Sequence, residues 1–386
     1  MEFAIPSCKH FTGYKPCFPG TNCLEECIQH KPLGTRILLI NLDAMGNVLV
    51  TTSILPALKR KYPISDISWV TLKISAPLLQ NNPFIDRVYT WDPESILILE
   101  GQEFDIVMNV DKSRRSGAFA VRVNARERLG FGMNGQGVII PLNPEAEENY
   151  RLGLDDDLKF HVNQKTVGQL ECEEFRLPYN RDEYVLHLTE EEEEFCRSYK
   201  DDLLIKPGQV VVGFNTGCSE LYPNKKLTVE QHVVLLERLA KEDDLTLVLL
   251  GGPEDTVRNA EIHRRLGARV INTPTTEGVR RGICYENICD LVVTGDSFGM
   301  HLAIGLKKHV IAWFGLSCWT EIDLYDRGAK LVPEGLACAP CWRKACPYNL
   351  ECIAMVDLDR IVAEVCNFRD GRKQEWENES TGARGL

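Results

Sequence analysis

Apolar and polar positions alternate along the chain in a pattern that predicts two series of strands and helices. In the first series, which begins at Arg36, the apolar runs RILLINL, DISWVTL, RVYTWD and DIVMNVD recur. Between the first two runs, segment 48–62 places apolar side chains at helical spacing. Strands that alternate with helices predict a parallel sheet covered on both faces. The pieces ERLGFGM and GVIIPL are expected to complete this first lobe near Leu142.

A second series follows an acidic, weakly patterned stretch at 143–207, which we expect to be a solvated linker with one or two helices. Its apolar runs are VVVGFNT, LTLVLLGG, ARVINT, LVVTGD and HVIAWFG, with helical segments between them. This pattern again predicts a doubly wound α/β lobe. Two such lobes usually bind a ligand in the cleft between them, at the carboxyl ends of their strands.

The sequence therefore predicts four regions. They are a segment at 1–35 rich in Cys, Pro and Gly, an N-terminal Rossmann-like lobe with linker at 36–190, a C-terminal Rossmann-like lobe at 191–366, and a polar, mobile tail at 367–386. The length of 386 residues exceeds the usual size of a single core, which agrees with two domains.

The composition is that of an ordinary globular protein, with 44% hydrophobic residues, 26% charged residues and a formal net charge of -12. Because the acidic balance gives no broad basic field, nucleic acid is not expected as a partner. No long apolar run and no secretory signal occurs, which predicts a cytoplasmic protein and leaves peripheral membrane association open. In a reducing compartment the 15 cysteines are expected to be thiols or metal ligands rather than disulfides.

Three turns in the second lobe follow strands and carry polar or glycine residues. They are NTGCS at 215–219, GGPE at 251–254 and GDSFGMH at 295–301. Free N–H groups at a helix start bind anions, and Gly299 lets a phosphate approach the chain, so a diphosphate would suit the third turn. Each turn alone also fits simple helix capping. Neither a dinucleotide-binding glycine fingerprint nor a phosphate-binding loop with Gly-Lys-Ser/Thr is present.

Charged residues beside these turns suggest how a sugar nucleotide would be held. Asp296 and Glu254 accept hydrogen bonds only, so sugar hydroxyls are their expected partners. Lys225 could supply a compensating cation. Ser219 is a further candidate from the first turn, whereas His301 alone would more often be a packed or capping residue.

Four segments together resemble glycosyltransferase family 9, the ADP-heptose:lipopolysaccharide heptosyltransferases and their relatives. The segments are MGNVLVTTSILPALKRKYP, NNPFIDRVYTWD, LVLLGGPED and VVTGDSFGMHLAIGLKKHVIAWFG, and the resemblance runs over 36–361. It implies a GT-B fold of two Rossmann-like lobes, a nucleotide-activated sugar as donor, and transfer to a hydroxyl with inversion. It also implies that the transfer needs no metal.

The resemblance assigns donor-binding roles to residues of the second lobe. Lys225 would face phosphate and sugar, Glu254 would meet the ribose, and Asp296 would lie near the donor sugar. The turn residues that would take the diphosphate are Ser297, Gly299, Met300 and His301.

The first lobe departs from the family pattern at its expected base. The family has an aspartate after Met/Leu-Gly in its first turn, whereas this chain has Asn47, and an amide takes no proton at neutral pH. Asp43 and Asp111 are candidate replacements, although a loop aspartate is also often a structural cap. Asn47 would then orient the acceptor.

Two cysteine sets are candidate metal sites. Near the C-terminus, Cys338, Cys341, Cys346 and Cys352 have the number and spacing of a tetrahedral site, with packed thiols or disulfides as alternatives. This segment resembles the cysteine motif of autotransporter heptosyltransferases, which hold iron on four cysteines.

Spacing alone leaves zinc and iron open, and four thiolates would make the C-terminal site structural. An N-terminal set, more irregular, would act as a staple for a segment with little core of its own. Its members are Cys8, Cys17, Cys23 and Cys27.

The sequence thus predicts an inverting glycosyltransferase that moves a sugar, expected to be heptose from ADP-heptose, to a hydroxyl acceptor during lipopolysaccharide or surface glycan assembly. The acceptor is left open among a glycan, a lipid-linked glycan and a protein. Two alternatives remain, a non-catalytic relative that binds a nucleotide sugar, favoured by Asn47, and a GT-B sugar epimerase.

Overall fold

The computed structural model describes residues 4–25, 27–42, 44–206 and 208–382, the side chains only as far as residue 375. The chain divides into two compact units. The first comprises Met1–Arg151 and Gly168–Asp182, and the second comprises Leu152–Val167 and Glu183–Leu386. The predicted linker at 143–207 therefore contributes helices to both units.

The N-terminal unit is a six-stranded sheet in the order β3-β2-β1-β4-β5-β6, parallel except for the antiparallel pair β5-β6. Its strands are β1 Thr35–Ile40, β2 Ser65–Thr71, β3 Arg87–Thr90, β4 Glu103–Asn109, β5 Asn124–Met133 and β6 Ile139–Pro141. Its helices are α1 Met45–Thr51, α2 Leu55–Lys61, α3 Pro93–Glu100, α4 Arg114–Arg122, α5 Glu147–Leu152 and α6 Val167–Glu174, of which α5 and α6 each extend one residue into the second unit.

The C-terminal unit is a second six-stranded sheet, entirely parallel, in the order β12-β11-β10-β7-β8-β9. Its strands are β7 Val210–Asn215, β8 Leu245–Leu250, β9 Ile271–Asn272, β10 Leu291–Gly295, β11 His309–Trp313 and β12 Gly328–Leu331. Its helices are α7 Glu190–Asp202, α8 Val229–Leu239, α9 Thr256–Leu266, α10 Val279–Asn287, α11 Phe298–Gly305, α12 Glu351–Ala354 and α13 Leu358–Gly382. The prediction of two doubly wound α/β lobes is confirmed.

Burial explains why the strands read as continuous apolar runs. The strand side chains of β1, β7 and β10 are almost all buried, as expected for parallel strands covered on both faces. In the second unit α8, α9 and α13 pack over the sheet, and their apolar side chains join one core cluster with those of the strands.

Two elements differ from the sequence-based expectations. The helix expected over 48–62 is interrupted by a 3₁₀ turn at Thr52–Ile54, because Pro56, in the first turn of α2, has no N–H to continue the helical hydrogen-bond ladder. The tail expected to be mobile from residue 367 is, as far as Gly382, the continuation of α13. There Phe368 packs on His309 with ring centroids 4.7 Å apart, and Arg369 pairs with Glu242 at 2.5 Å.

The N-terminal segment is attached to the first sheet by one lysine. Lys9 Nζ lies 2.7 Å from Asp86 Oδ1, next to β3, and Arg87 donates to the carbonyl of Lys9. Among the described residues, no helix is both long enough and apolar enough to cross a membrane.

Candidate active site

The three polar turns of the C-terminal unit lie together because their strands are neighbours. Strands β10, β7 and β8 are adjacent in the sheet and parallel, so the turns that follow Gly295, Asn215 and Leu250 meet at one edge. This edge, at the carboxyl ends of the strands, is where open α/β sheets bind ligands.

Asn215 fixes the turn between β10 and α11. Its Nδ2 donates to Ser297 Oγ at 2.7 Å and to Thr294 Oγ1 at 3.2 Å. Ser297 is the N-cap of α11 and has an extended backbone. A Cβ on Gly299 would lie 2.6 Å from the Asn215 side chain, so only glycine allows this close approach. The start of α11 is therefore rigidly placed.

Lys225 and Asp296 form a mostly buried ion pair at the same edge. Lys225 Nζ lies 2.6 Å from Asp296 Oδ2, and both side chains are less than 15% exposed, at 13% and 11%. Burial alone would raise the pKa of Asp296, but the charge of Lys225, followed by His301, holds it below its usual value. Asp296 thus stays ionised, and Lys225 is its counter-ion.

His301 is a packed side chain, as one reading of the sequence expected. It is buried, its ring stacks on Tyr184 with centroids 6.1 Å apart, and Nδ1 lies 3.4 Å from the Tyr184 hydroxyl. Burial lowers the pKa of His301 to about 4, so the ring is neutral at pH 7. Met300 is fully buried, so its backbone is the part that can face a ligand.

The other two turn candidates are exposed. Ser219 lies in the loop after β7, where its Oγ accepts from the N–H of Leu221 at 3.2 Å. Glu254 lies in a 3₁₀ turn after β8. The neighbouring Asp255, which sequence reasoning missed, is buried and accepts from the N–H of Gly252 at 3.0 Å. It organises this turn, which leaves Glu254 on the surface.

In the N-terminal unit, Asp111 joins two strand ends. It follows β4, is buried, and accepts a hydrogen bond from the N–H of Leu42 at the end of β1. Asn47 lies in the first turn of α1 and is exposed. The other candidate base, Asp43, lies outside the described residues.

Two buried glutamates of α6, missed by sequence reasoning, lie near Asp111. Glu171 Oε1 accepts from Thr51 Oγ1 at 3.0 Å, and Glu174 Oε2 accepts from Asn149 Nδ2 at 2.8 Å. Burial raises the pKa of Glu174 to about 8 and that of Glu171 well above its usual value, and the charge of Asp111 adds to both shifts.

A signal for this buried pair was present in the sequence. Leu170, Glu171, Glu174 and Phe175 are all buried and recur at helical spacing on one stripe. The acidic composition of the surrounding stretch concealed the stripe.

The four C-terminal cysteines line one small cavity of about 20 Å³. Burial raises the pKa of the Cys352 thiol, and the other three thiols add to the shift, so all four lie near one another. Among the described residues, the cysteines of both sets are free thiols. Within the described parts of the chain, no three His, Cys, Asp or Glu side chains are arranged to hold a metal ion, and metal binding stays a prediction.

The N-terminal cysteines differ in exposure. Cys17 is exposed, whereas Cys8, Cys23 and Cys27 are partly buried. Burial would raise the pKa of Cys8, but the backbone N–H groups that point at its sulfur, that of Lys31 first, lower it.

Comparison with known proteins gives one family. The model of glycosyltransferase family 9 (heptosyltransferase) matches residues 97–351. Lipooligosaccharide heptosyltransferase 2 of Campylobacter jejuni subsp. jejuni serotype O:2 is 26% identical over 182 residues, which are 45% of this chain and 56% of that protein. The chain thus spans about half the length of this curated relative. The lipopolysaccharide core heptosyltransferase OpsX of Haemophilus influenzae is 21% identical over 292 residues, 72% of this chain and 78% of that protein.

Solved structures show the same fold. A glycosyl transferase of family 9 from Veillonella parvula has a TM-score of 0.67 at 16% identity, covering 87% of this chain and 97% of that one. The ADP-heptose lipopolysaccharide heptosyltransferase II of E. coli has a TM-score of 0.66 at 17% identity, covering 88% and 100%.

Proposed function

This chain belongs to glycosyltransferase family 9, and on that premise we propose that it is an inverting glycosyltransferase. It moves a sugar, heptose from ADP-heptose, to a hydroxyl of a glycan acceptor in the assembly of lipopolysaccharide or another surface glycan. The observation that carries the proposal is the buried Lys225–Asp296 pair beside the fixed start of α11.

The second unit would hold the donor and stabilise its leaving group. In-line displacement leaves a nucleoside diphosphate, whose negative charge must be neutralised as the bond breaks. Lys225 supplies a cation, and the first-turn N–H groups of α11 supply the positive end of a helix dipole. Asp296, ionised beside Lys225, accepts hydrogen bonds from sugar hydroxyls.

His301 supports this arrangement without a charge of its own. Its neutral ring packs on Tyr184 and fixes the second turn of α11. The diphosphate is then bound by Lys225 and by backbone N–H groups, and its binding does not depend on a histidine proton.

The base that removes the acceptor proton is assigned to the N-terminal unit. Asn47 cannot take a proton, so Asp111 and Asp43 are the two candidates. Asp111 is supported by its buried position directly after β4 and by its hydrogen bond from the N–H of Leu42, which fixes the carboxylate at the carboxyl ends of β4 and β1.

The C-terminal cysteine set would hold zinc or iron. The four thiols line one cavity, and their number and spacing along the chain are those of a tetrahedral thiolate site. When bound, such a metal cross-links its segment, and the transfer itself needs no metal. The N-terminal set is proposed as a second staple, with Cys8 as its best-supported ligand because backbone N–H groups point at its sulfur.

The test combines binding with turnover. Calorimetric titration with ADP, UDP and GDP is expected to give binding selective for ADP. Donor turnover is then measured for the native protein, Asp43→Asn, Asp111→Asn and Asn47→Asp, with Asp156→Asn, at an exposed position, as control.

Each outcome of this test distinguishes one of the candidate functions. Loss of turnover on one aspartate change, with ADP binding kept, identifies the base. Binding without turnover, restored only by Asn47→Asp, makes the chain a non-catalytic donor-binding relative. Product formed without any acceptor indicates an epimerase, and a protein that binds none of the three nucleotides contradicts the proposal.

A further inference from the structure

The C-terminal cysteine segment reaches the lysine of the proposed donor site through one aromatic side chain. Trp342 directly follows Cys341, and its ring centroid lies 4.5 Å from Lys225 Nζ. Tyr222 packs edge-on against the same indole, with ring centroids 5.2 Å apart at 77°. A cation this close to an indole face is attracted by the ring quadrupole. The ammonium group of Lys225 is therefore held by two partners, the indole of Trp342 and the carboxylate of Asp296.

The backbone fixes Trp342 in this position. The N–H groups of Cys341 and Trp342 both donate to the carbonyl of Leu316, each at 2.9 Å. Trp342 has a φ of 48°, a left-handed conformation that a bulky side chain rarely adopts. Asn224 Nδ2, one residue before the lysine, donates to the carbonyl of Lys344 at 3.1 Å. The cysteine segment thus contacts the loop that carries Lys225 at three points: Trp342 against Lys225, Trp342 against Tyr222, and Lys344 with Asn224.

The indole N–H of Trp342 is the unexplained group. Its Nε1 atom is buried, and among the described residues it has no hydrogen-bond partner. An indole nitrogen can only donate. Leaving a buried donor unpaired costs about 1–3 kcal/mol, so such a group in a native fold needs an explanation. A bound acceptor would provide one.

The surroundings of Trp342 indicate what kind of acceptor this is. Lys225, paired with Asp296, lies over its ring, and Lys159 Nζ, paired with Glu321 at 3.1 Å, lies 5.7 Å from the same ring, so two cationic groups flank one indole. Positive charge together with an unpaired N–H donor suits an anionic oxygen rather than a neutral carbonyl. In a nucleotide sugar the groups with that chemistry are the diphosphate oxygens.

We propose that Trp342 is a donor-positioning residue whose indole N–H donates to a diphosphate oxygen of the nucleotide sugar, while its face holds Lys225 toward the same group. This inference rests on the proposed function and deepens it. It makes the four-cysteine segment a wall of the donor site as well as a cross-linked element of the fold.

The test compares ADP with adenosine, which lacks the phosphates. Calorimetric titration is carried out with the native protein, with Trp342→Phe, which keeps a ring and removes the N–H, and with Trp91→Phe as a control in the other unit. A second variant, Trp342→Tyr, keeps a ring and carries a hydroxyl donor. If one of the two variants at Trp342 fails to fold, the other still tests the proposal. Thermal unfolding of each variant is recorded.

The expected result is specific to the phosphates. Trp342→Phe weakens ADP binding by about tenfold or more, the effect of one hydrogen bond to a charged group, and leaves adenosine binding unchanged. Trp342→Tyr loses less, and Trp91→Phe loses nothing. If Trp342→Phe weakens the binding of ADP and adenosine equally, or weakens neither, the proposed role of Trp342 is refuted. The proposed function of the chain is not affected by that result. A native protein that binds no ADP contradicts the proposed function instead.

Discussion

The buried carboxyl of Glu174 makes a quantitative prediction about stability. Its side chain is 0% exposed, and burial raises its pKa to about 8, against about 4.3 for an unfolded glutamate. Between those values the folded protein binds more protons at this site than the unfolded chain does. The free energy of unfolding therefore falls as the pH rises, starting above about 4.3 and ending above about 8.

The magnitude follows from the two pKa values. Integrating the proton linkage between pH 5 and pH 8.5 gives a loss of roughly 4 kcal/mol from this one group. Glu174→Gln keeps the shape of the side chain and an oxygen for the bond from Asn149, but it cannot ionise. The variant is thus expected to gain roughly 4 kcal/mol relative to the native protein over that range.

Urea unfolding at several pH values, followed by circular dichroism, measures this difference. Glu173→Gln, on the same helix and only partly buried, is the matched control and should follow the native curve. If the unfolding curves of Glu174→Gln and the native protein keep a constant separation from pH 5 to pH 8.5, Glu174 is ionised throughout and the reasoning is refuted.

Three further predictions concern the C-terminal unit. Gly299→Ala, whose Cβ would lie 2.6 Å from Asn215, should weaken ADP binding at least tenfold by calorimetry, whereas Gly282→Ala in α10, where a Cβ meets open space, should not. Because burial lowers the pKa of His301 to about 4, ADP affinity should show no step near pH 6.5, and a step removed by replacing His301 with Gln would contradict this. Cys346→Ser should reduce zinc or iron content by mass spectrometry and lower the melting temperature, whereas Cys366→Ser should leave the metal unchanged; a metal-free native protein would refute the site.

The sequence predicted the fold well because parallel strands have a strong signature. Continuous apolar runs separated by amphipathic segments gave both sheets, and the turns after β7, β8 and β10 had to meet because neighbouring parallel strands end at one edge. The composition of the sequence could not predict which individual polar side chains are buried. Glu171 and Glu174 looked like part of a solvated acidic stretch, and only the packing of α6 within the first unit buries them.

The contact of Trp342 with Lys225 also could not be predicted from the sequence. It depends on Cys341 and Trp342 both bonding to the carbonyl of Leu316, a link of 25 residues along the chain that no local pattern records. The break between α1 and α2, in contrast, was readable at Pro56. The helical continuation of the tail depended on Phe368 and its tertiary contact with His309.

The way the chain crosses between its two units has a consequence for synthesis. The first unit consists of Met1–Arg151 and Gly168–Asp182, so it cannot be complete on the ribosome until α6 has emerged. Until then the Thr51 hydroxyl, which already accepts from Asn41 Nδ2, lacks Glu171, the acceptor of its own hydrogen bond. The intervening segment Leu152–Val167 belongs to the second unit, so it can pack only after the strands of that unit have been synthesised. Neither half can therefore be made as one uninterrupted fragment, and a split of the gene at any single position would separate elements that fold together.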